Sequence, residues 1–392
     1  MTFQFGFRLF ARISSSLLQA VVLVVLARVL GGSVFGQYAL AYAVAALSAG
    51  LLGVGASTRI LRAAMEPNPR ALTGSLLVLR ASASVVGVAL TVGVGLAWGW
   101  AASAVFAAAV VGSSELLVDY AQATLAGRDL QTQSAWFVFG QKVVLCAGVV
   151  AGALVGPTAA LVSLMVVGGV SMVAGVIVVS KFSDRPRDLI RTILESRGYW
   201  ATALVGNVKH VEPFAVGNGL GEVTAGIYSA VSRLTNPLLI VTAVAQVIYV
   251  PKLAAAGSST KEFIGLFGRV RLIAFGYGAL VIVASPAIAW VTLAMLGPDF
   301  REHLVLATSI VAAAGVSAMT NLYQIGFYAL GRPGAVALSV GVVTGAGALA
   351  LGVVAATAGE SWLWTVPFAT QVALLAVISR RYKAFADSCG LL

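Results

Sequence analysis

Runs of about 20 apolar residues follow one another along the whole sequence, parted only by short polar breaks. That is the length of helix needed to cross a bilayer's hydrocarbon core, where no water is present to bond a free N–H or C=O. Each run must therefore close its own backbone hydrogen bonds, so only α-helices or a closed barrel can span. Barrel strands alternate apolar and polar side chains over about ten residues, and these runs do not alternate. Composition agrees: 59% of the 392 residues are hydrophobic and 10% charged, with a mean hydropathy of +0.97, whereas soluble domains carry about 25% charged residues. The chain reads as an all-α integral membrane protein with twelve spans, at 9–30, 37–61, 73–96, 101–125, 132–155, 158–180, 199–220, 224–250, 264–290, 303–329, 334–357 and 361–380.

Lys and Arg collect in short cytoplasmic loops. With the N-terminus inside, that rule accounts for all but four of the 25 basic residues: Arg28 and Arg301 fall outside, and Lys209 and Arg233 fall within spans. Lys142 and Arg80 count with their nearest inner loops. The expectation is a multi-pass protein of the cytoplasmic (inner) membrane with both termini cytoplasmic. The net charge of +11 follows the same loops, so it reads as topology and as attraction to anionic headgroups of the lipid bilayer; no nucleic-acid partner is expected. Arg8 and Arg12 ahead of an apolar run resemble the start of a signal peptide. Further spans follow at once, so that run is read as an uncleaved first helix.

Two cysteines, Cys146 within span 5 and Cys389 near the C-terminus, and two histidines, His210 and His303, show no metal-ligand spacing. A G-x-x-x-x-G-K-[ST] phosphate loop is missing from the sequence. Gly345, Gly347 and Ala350 match a loose dinucleotide pattern but lie inside an apolar helix with no strand before it. Neither a metal nor another cofactor is expected.

The sequence repeats itself. "LGGSVFGQY" at 30–38 returns as "LGEVTAGIY" at 220–228, with Leu30, Gly31, Gly36 and Tyr38 answered by Leu220, Gly221, Gly226 and Tyr228. Six spans lie between the copies, so both turn on the same side and re-enter in the same direction. Glycine suits such a turn because it tolerates positive φ, and the tyrosines read as interfacial anchors. Gly127-Arg128 after span 4 is echoed by Gly331-Arg332 after span 10, and Arg62 ends span 2 where Lys252 ends span 8. The organisation expected is two pseudo-symmetric six-helix bundles around a central cavity, 1–180 and 199–392 with a short cytoplasmic tail, in the manner of parallel-repeat transporters. Residues 181–198, with Leu189, Ile190, Ile193 and Leu194 among charges, read as a cytoplasmic amphipathic linker on the membrane surface.

A charged side chain at mid-membrane costs about 2.5–3.5 kcal/mol on insertion scales, so such residues face cavities or one another. Here they are Glu115 and Asp119 on span 4, Lys142 on span 5, Lys209, His210 and Glu212 on span 7, and Arg233 on span 8. Lys209 and Glu212 stand three apart on one helical face and can neutralise each other. Pro213 and Pro237 follow closely and invite bends. Gly148, Gly152 and Gly156 form two small-x-x-x-small steps suited to helix packing. Asn207, Asn218, Asn321 and Gln324 can bond sugar hydroxyls or neighbouring helices.

The segments 26–62, "LARVLGGSVFGQYALAYAVAALSAGLLGVGASTRILR", and 216–254, "VGNGLGEVTAGIYSAVSRLTNPLLIVTAVAQVIYVPKLA", resemble the first two and the seventh and eighth helices of the O-antigen and polysaccharide flippases. These belong to the multidrug/oligosaccharidyl-lipid/polysaccharide exporter superfamily. The resemblance implies a non-enzymatic flippase that moves a polyprenyl-diphosphate-linked glycan outward by alternating access for cell-surface polysaccharide synthesis, with polysaccharide polymerase or ligase proteins as partners. On that reading Lys209 and Arg233 hold the diphosphate near the midplane, Arg59 and Arg62 receive it from the inner leaflet, and Glu212, His210 or Glu115 titrates to release it. Two other readings compete. A cation-coupled multidrug exporter of the same superfamily calls for an acidic, aromatic-lined pocket, and a membrane-embedded sugar transferase or polymerase calls for a larger outer loop than "LGPDFREH" at 296–303.

The topology carries a direct test. In a cysteine-free background, single cysteines at Ser33, Gly297 and Glu360 should react with an impermeant reagent added outside, and those at Ser183 and Ser258 should not. Reversal at any two of these sites rules out the twelve-span arrangement.

Overall fold

The computed structural model describes residues 2–61, 68–128, 130–186, 188–256, 260–330 and 332–388. They are helical almost throughout and contain no strand. In chain order the helices are α1 (Thr2–Leu52), α2 (Ala56–Ile60), α3 (Pro69–Ala97), α4 (Ala102–Gly127), α5 (Gln131–Val155), α6 (Pro157–Ser180), α7 (Leu189–Asn207), α8 (Glu212–Leu220), α9 (Glu222–Leu234), α10 (Asn236–Ala256), α11 (Thr260–Leu296), α12 (Leu304–Ala329), α13 (Pro333–Thr357), α14 (Glu360–Leu363) and α15 (Thr365–Ser388). Every expected span falls on one or more of them. Among the described residues, nine segments are long and apolar enough to cross a bilayer unaided. That number is below twelve for two physical reasons. Helix α1 carries two spans joined at a kink, and spans 7 and 8 are each broken into shorter helices.

The kink in α1 is Gly31, at φ 73° and ψ 168°. Gly221, its counterpart in the second copy of the repeat, has φ 86° and ψ 176° between α8 and α9. This region of backbone space is open essentially to glycine alone, so the repeated letter records a repeated turn. The other four odd-to-even span connections use the same device at Gly99, Gly156, Gly297 and Gly359, all with positive φ. One residue thus reverses the chain six times. The repeat's second glycine does something else: a Cβ on Gly226 would stand 2.9 Å from the Cα of Gly36, and one on Gly36 would collide with the backbone carbonyl of Glu222. Within the first unit, Glu222 and Gly226 therefore pack backbone to backbone on Gly36. Tyr38 and Tyr228 are each only 3% exposed, so they are core residues and not interfacial anchors; by these positions the helices have re-entered their bundles.

Two compact units result. The first comprises Met1–Gly217 with Glu222–Gly226. In it α1 packs on α3, α4 and α5, and α4 packs on α6. Gly148 and Gly152 let α5 approach α6, where a Cβ on Gly152 would lie 2.7 Å from the carbonyl oxygen of Ala159; Gly156 belongs to the turn. The second unit comprises Asn218–Gly221 with Ile227–Leu392. In it α12 packs on α10, α11 and α15, and Gly278 and Gly315 face one another across α11 and α12. The Gly-Arg echo also has a structural counterpart. Arg128 lies over the Phe182 ring at 6.0 Å in the first unit, and Arg332 over the Phe385 ring at 5.6 Å in the second. Large apolar side chains such as Leu154, Val155, Val283 and Leu349 are turned outward, as a surface solvated by lipid requires.

The linker region is not separate from span 7. Helix α7 begins at Leu189, after Asp188 has accepted hydrogen bonds from the Ile190 and Arg191 amides, and runs on to Asn207. Its buried side is polar (Thr192, Ser196), and Ile190 and Leu194 point away.

The glycine turns generate a prediction. A Cβ added at Gly31 or at Gly221 would have no atom within 4 Å, so alanine there meets only backbone strain, of about 1–3 kcal/mol. Gly31→Ala and Gly221→Ala should each lower the thermal midpoint in detergent, whereas Gly140→Ala, inside α5 with open space around it, should leave it unchanged or raise it. Equal midpoints for all three variants would remove the turn argument.

Candidate functional site

The first unit contains an acid in its interior. Glu115 lies thirteen residues into α4 and Lys142 eleven into α5, about 20 Å and 17 Å from the helix starts at 1.5 Å per residue. Lys142 Nζ donates to Glu115 Oε1 at 3.0 Å, and both side chains are mostly shielded. Tyr42 Oη, from the second half of α1, donates to Glu115 Oε2. Lys142 is thus placed inside the bundle and not at a loop, because only there can it meet Glu115. Rings continue from this point along α1, with Phe35, Tyr38 and Tyr42 at successive centroid spacings of 6.5 Å, all buried. The result is a carboxylate joined to three helices of one bundle, α1, α4 and α5, beside an aromatic stripe. Removing one partner of such a buried pair costs about 3–5 kcal/mol; protonating the carboxylate weakens the same pair without removing an atom.

Arg59, in α2, is 4% exposed and fully engaged. Its Nη1 donates to the Thr192 carbonyl at 2.7 Å and to Ser196 Oγ at 2.6 Å, and its Nη2 to Glu195 Oε2 at 2.9 Å. The other Glu195 oxygen accepts from Arg191 Nε at 2.8 Å. The hydrogen bonds from Arg191 and then Arg59 hold the Glu195 carboxyl below its ordinary range. A depressed carboxylate stabilises the docked α7 at pH values above its unfolded pKa and gives up that contribution as pH falls through the folded one. Arg62 lies outside the described residues. Arg80, eleven residues into α3, is also interior. It is 7% exposed and donates to Ser57 Oγ at 2.9 Å beside Gly53, with Asp119 supplying opposite charge.

The polar stretch of span 7 breaks the helix. Val208–Val211, between α7 and α8, is a 3₁₀ turn that carries Lys209 and His210; the side chain of Lys209 lies outside the described residues. Glu212 and Pro213 open α8. Span 8 breaks at Thr235, where Arg233 sits in the last turn of α9 and Asn236 and Pro237 open α10. The bends therefore fall immediately before the two prolines. His210, Glu212 and Arg233 all have partners. Charge follows the helix dipoles, with Glu212 at one N-terminus and Arg233 at a C-terminus. Lys209 and Glu212 belong to the first unit and Arg233 to the second.

One polar residue that composition and spacing do not single out is Glu222, which opens α9. Its Oε2 accepts from Gln37 Nε2 at 2.7 Å and Ser33 Oγ at 3.1 Å, while Gln37 Oε1 accepts from the Ala101 amide at the start of α4 at 2.7 Å. The available signal is a mismatch within the repeat, since Glu222 stands where the first copy has Gly32. Asn207 bonds its own helix at Ala203, and Asn321 bonds Thr242 across helices. Among the described residues no group of three His, Cys, Asp or Glu side chains is placed to hold a metal ion.

No protein-family model matches the sequence, and no curated protein does. Solved structures do match the fold. A multidrug resistance MATE family transporter of the MOP superfamily in its inward-facing conformation superposes with a TM-score of 0.69 at 14% identity, covering 95% of this chain and 96% of that one. The outward-facing conformation of a transporter so described gives 0.58 at 13% identity, covering 98% and 96%. The Vibrio cholerae MATE transporter VcmN in its bent form gives 0.59 at 13% identity, covering 98% and 97%. Over essentially its whole length, this all-α membrane chain has the fold of the MATE transporters.

Proposed function

We propose that this chain is a cation-coupled exporter that works by alternating access and carries small amphipathic molecules out of the cytoplasm. The neighbours by fold are multidrug transporters solved in inward-facing and outward-facing conformations. The observation that carries the reading is Glu115, an acid tied to Tyr42 and Lys142 beside an aromatic stripe. A proton arriving at its carboxylate cancels the charge that Lys142 pairs with and takes up an acceptor position facing Tyr42. The contacts among α1, α4 and α5 then weaken together, which is a differential interaction able to bias one conformation over another. The same reading keeps the inner-membrane orientation with both termini cytoplasmic, and treats 1–180 and 199–392 as the two repeats joined through 181–198.

A second reading is the flippase for a polyprenyl-diphosphate-linked glycan. It is favoured by the interruption of spans 7 and 8 beside Lys209 and Arg233, since broken helices near the midplane are where transporters meet charged substrates. His210 and Glu212 would serve as release groups. Arg59 and Arg62 are the less attractive part of it, because the Arg59 guanidinium already has Thr192, Glu195 and Ser196 as partners.

Proteoliposomes separate the two. With ethidium as the probe and an imposed proton or sodium gradient, the wild type should drive dye movement. Glu115→Gln should cut the driven rate about tenfold or more, equivalent to about 1.4 kcal/mol, while dye binding persists. A wild type that moves no cationic dye under either gradient, or a Glu115→Gln variant at full rate, defeats the proposal. In cells, the flippase reading instead requires that Gln at both Lys209 and Arg233 stops glycan export at normal membrane abundance.

A further inference from the structure

The second unit holds a cavity that the transport reading does not use. Helices α10, α11 and α12 each present one stripe to it, and the space, about 30 Å³ and open at one side, exists because each stripe contains a small residue: Ala245, Ala274 and Ala318. Of its polar lining residues, Thr242, Tyr277 and Asn321 are occupied. Asn321 Nδ2 donates to Thr242 Oγ1 at 3.0 Å, and Tyr277 Oη donates to the Leu238 carbonyl at 2.7 Å. What remains is a wall of hydrocarbon. Towards the start of α11 the cavity is closed where Tyr249 and Ile325 pack with Leu253 and Phe263. At its side stand Val241 and Ile273, 47% and 52% exposed.

Charge around this cavity is one-sided. Arg269 stands one helical turn before Ile273 and is exposed, whereas Arg271, two residues on, lies on the other flank of α11 near Tyr323. Lys252 Nζ lies 6.0 Å from the centre of the Tyr249 ring. Across α10, α11 and α12 the sole acid is Glu262, against Lys252, Lys261, Arg269 and Arg271. No charge follows on α11 from Leu272 to Leu296, so Arg271 marks the edge of the hydrocarbon. The cavity therefore starts at headgroup depth, and from Arg269 to Tyr277 α11 rises about 12 Å along it.

We infer that this cavity is a lipid site, which takes the first few methylenes of one acyl chain of an anionic phospholipid whose phosphate rests between Arg269 and Lys252. Charge complementarity selects the headgroup, and the apolar wall directly below it selects the chain. A guanidinium offers a planar fork to a phosphate, and each basic residue near an anionic surface adds about 1 kcal/mol of attraction. A soluble anion would satisfy the cations and leave the cavity unfilled. A neutral lipid would fill the cavity and leave the cations unmatched.

Photolabelling tests this on the purified full-length protein in nanodiscs, with a phosphatidylglycerol that carries a diazirine on its acyl chain. Labels should concentrate on Ala245, Ile273 and Ala274, several-fold above lipid-facing Val283 on the same helix, and a phosphatidylcholine with the same chain should give less. Ala274→Phe fills the space and should abolish the cavity labels while Val283 is labelled as before; Ala274→Leu is the milder variant if the first does not fold. Arg269→Gln with Lys252→Gln should remove the advantage of phosphatidylglycerol over phosphatidylcholine. Labelling of the cavity residues no stronger than that of Val283, cavity labels that survive a folded Ala274 variant, or equal labelling by the two lipids in the wild type overturns the inference.

Discussion

Everything in this structure follows from the absence of water around the backbone. A chain that must close its own hydrogen bonds in hydrocarbon can only be helix there, and each helix has to end within a residue or two of the bilayer surface or leave polar groups stranded. The glycine turns meet that demand with the shortest possible connection. At Gly31 the reversal is so tight that the two helices read as one continuous element from Thr2 to Leu52.

The same constraint governs the charges. Lys142, Arg59 and Arg80 are basic groups removed from solvent, and each has protein partners: Glu115, the Thr192–Ser196 turn with Glu195, and Ser57 with Asp119. Breaking spans 7 and 8 beside Lys209 and Arg233 puts backbone groups next to charge, and this is tolerable in a membrane only inside protein or along a wet cavity. The proposed transport function and the interrupted helices therefore rest on one physical argument, because polar backbone at depth requires somewhere polar to face.

Much of this is legible in the sequence. The spans are, because length and hydropathy are summed over about twenty residues and local noise averages out. The repeat is legible because Gly31 and Gly221 cannot be exchanged for another residue at their φ/ψ values without strain. The breaks before Pro213 and Pro237 are legible from proline's missing donor. Pairings are not. Glu115 and Lys142 are 27 residues apart in sequence and meet only through α4–α5 packing. Arg80 and Lys142 group with loops in the sequence because a basic residue near a span end looks alike whether it faces headgroups or a bundle interior. Glu222 escapes notice there because a single acid at an expected turn resembles a solvated one. The flippase resemblance of 26–62 and 216–254 leads to the right fold. Substrate choice is written in side chains lining a cavity, and those are spread over helices whose mutual rotation no linear pattern encodes.

The partners of Arg59 also set an order of events in synthesis. Glu195 follows it by 136 residues. At about 5–20 residues per second, the ribosome needs roughly 7–27 s to supply that carboxylate after the arginine has been made. Throughout that interval Arg59 carries its charge without the Thr192, Glu195 and Ser196 groups, so the end of span 2 has to wait among the lipid headgroups. Its burial is a late event, completed only when the start of α7 emerges and settles over α2, after all six spans of the first half are in the membrane.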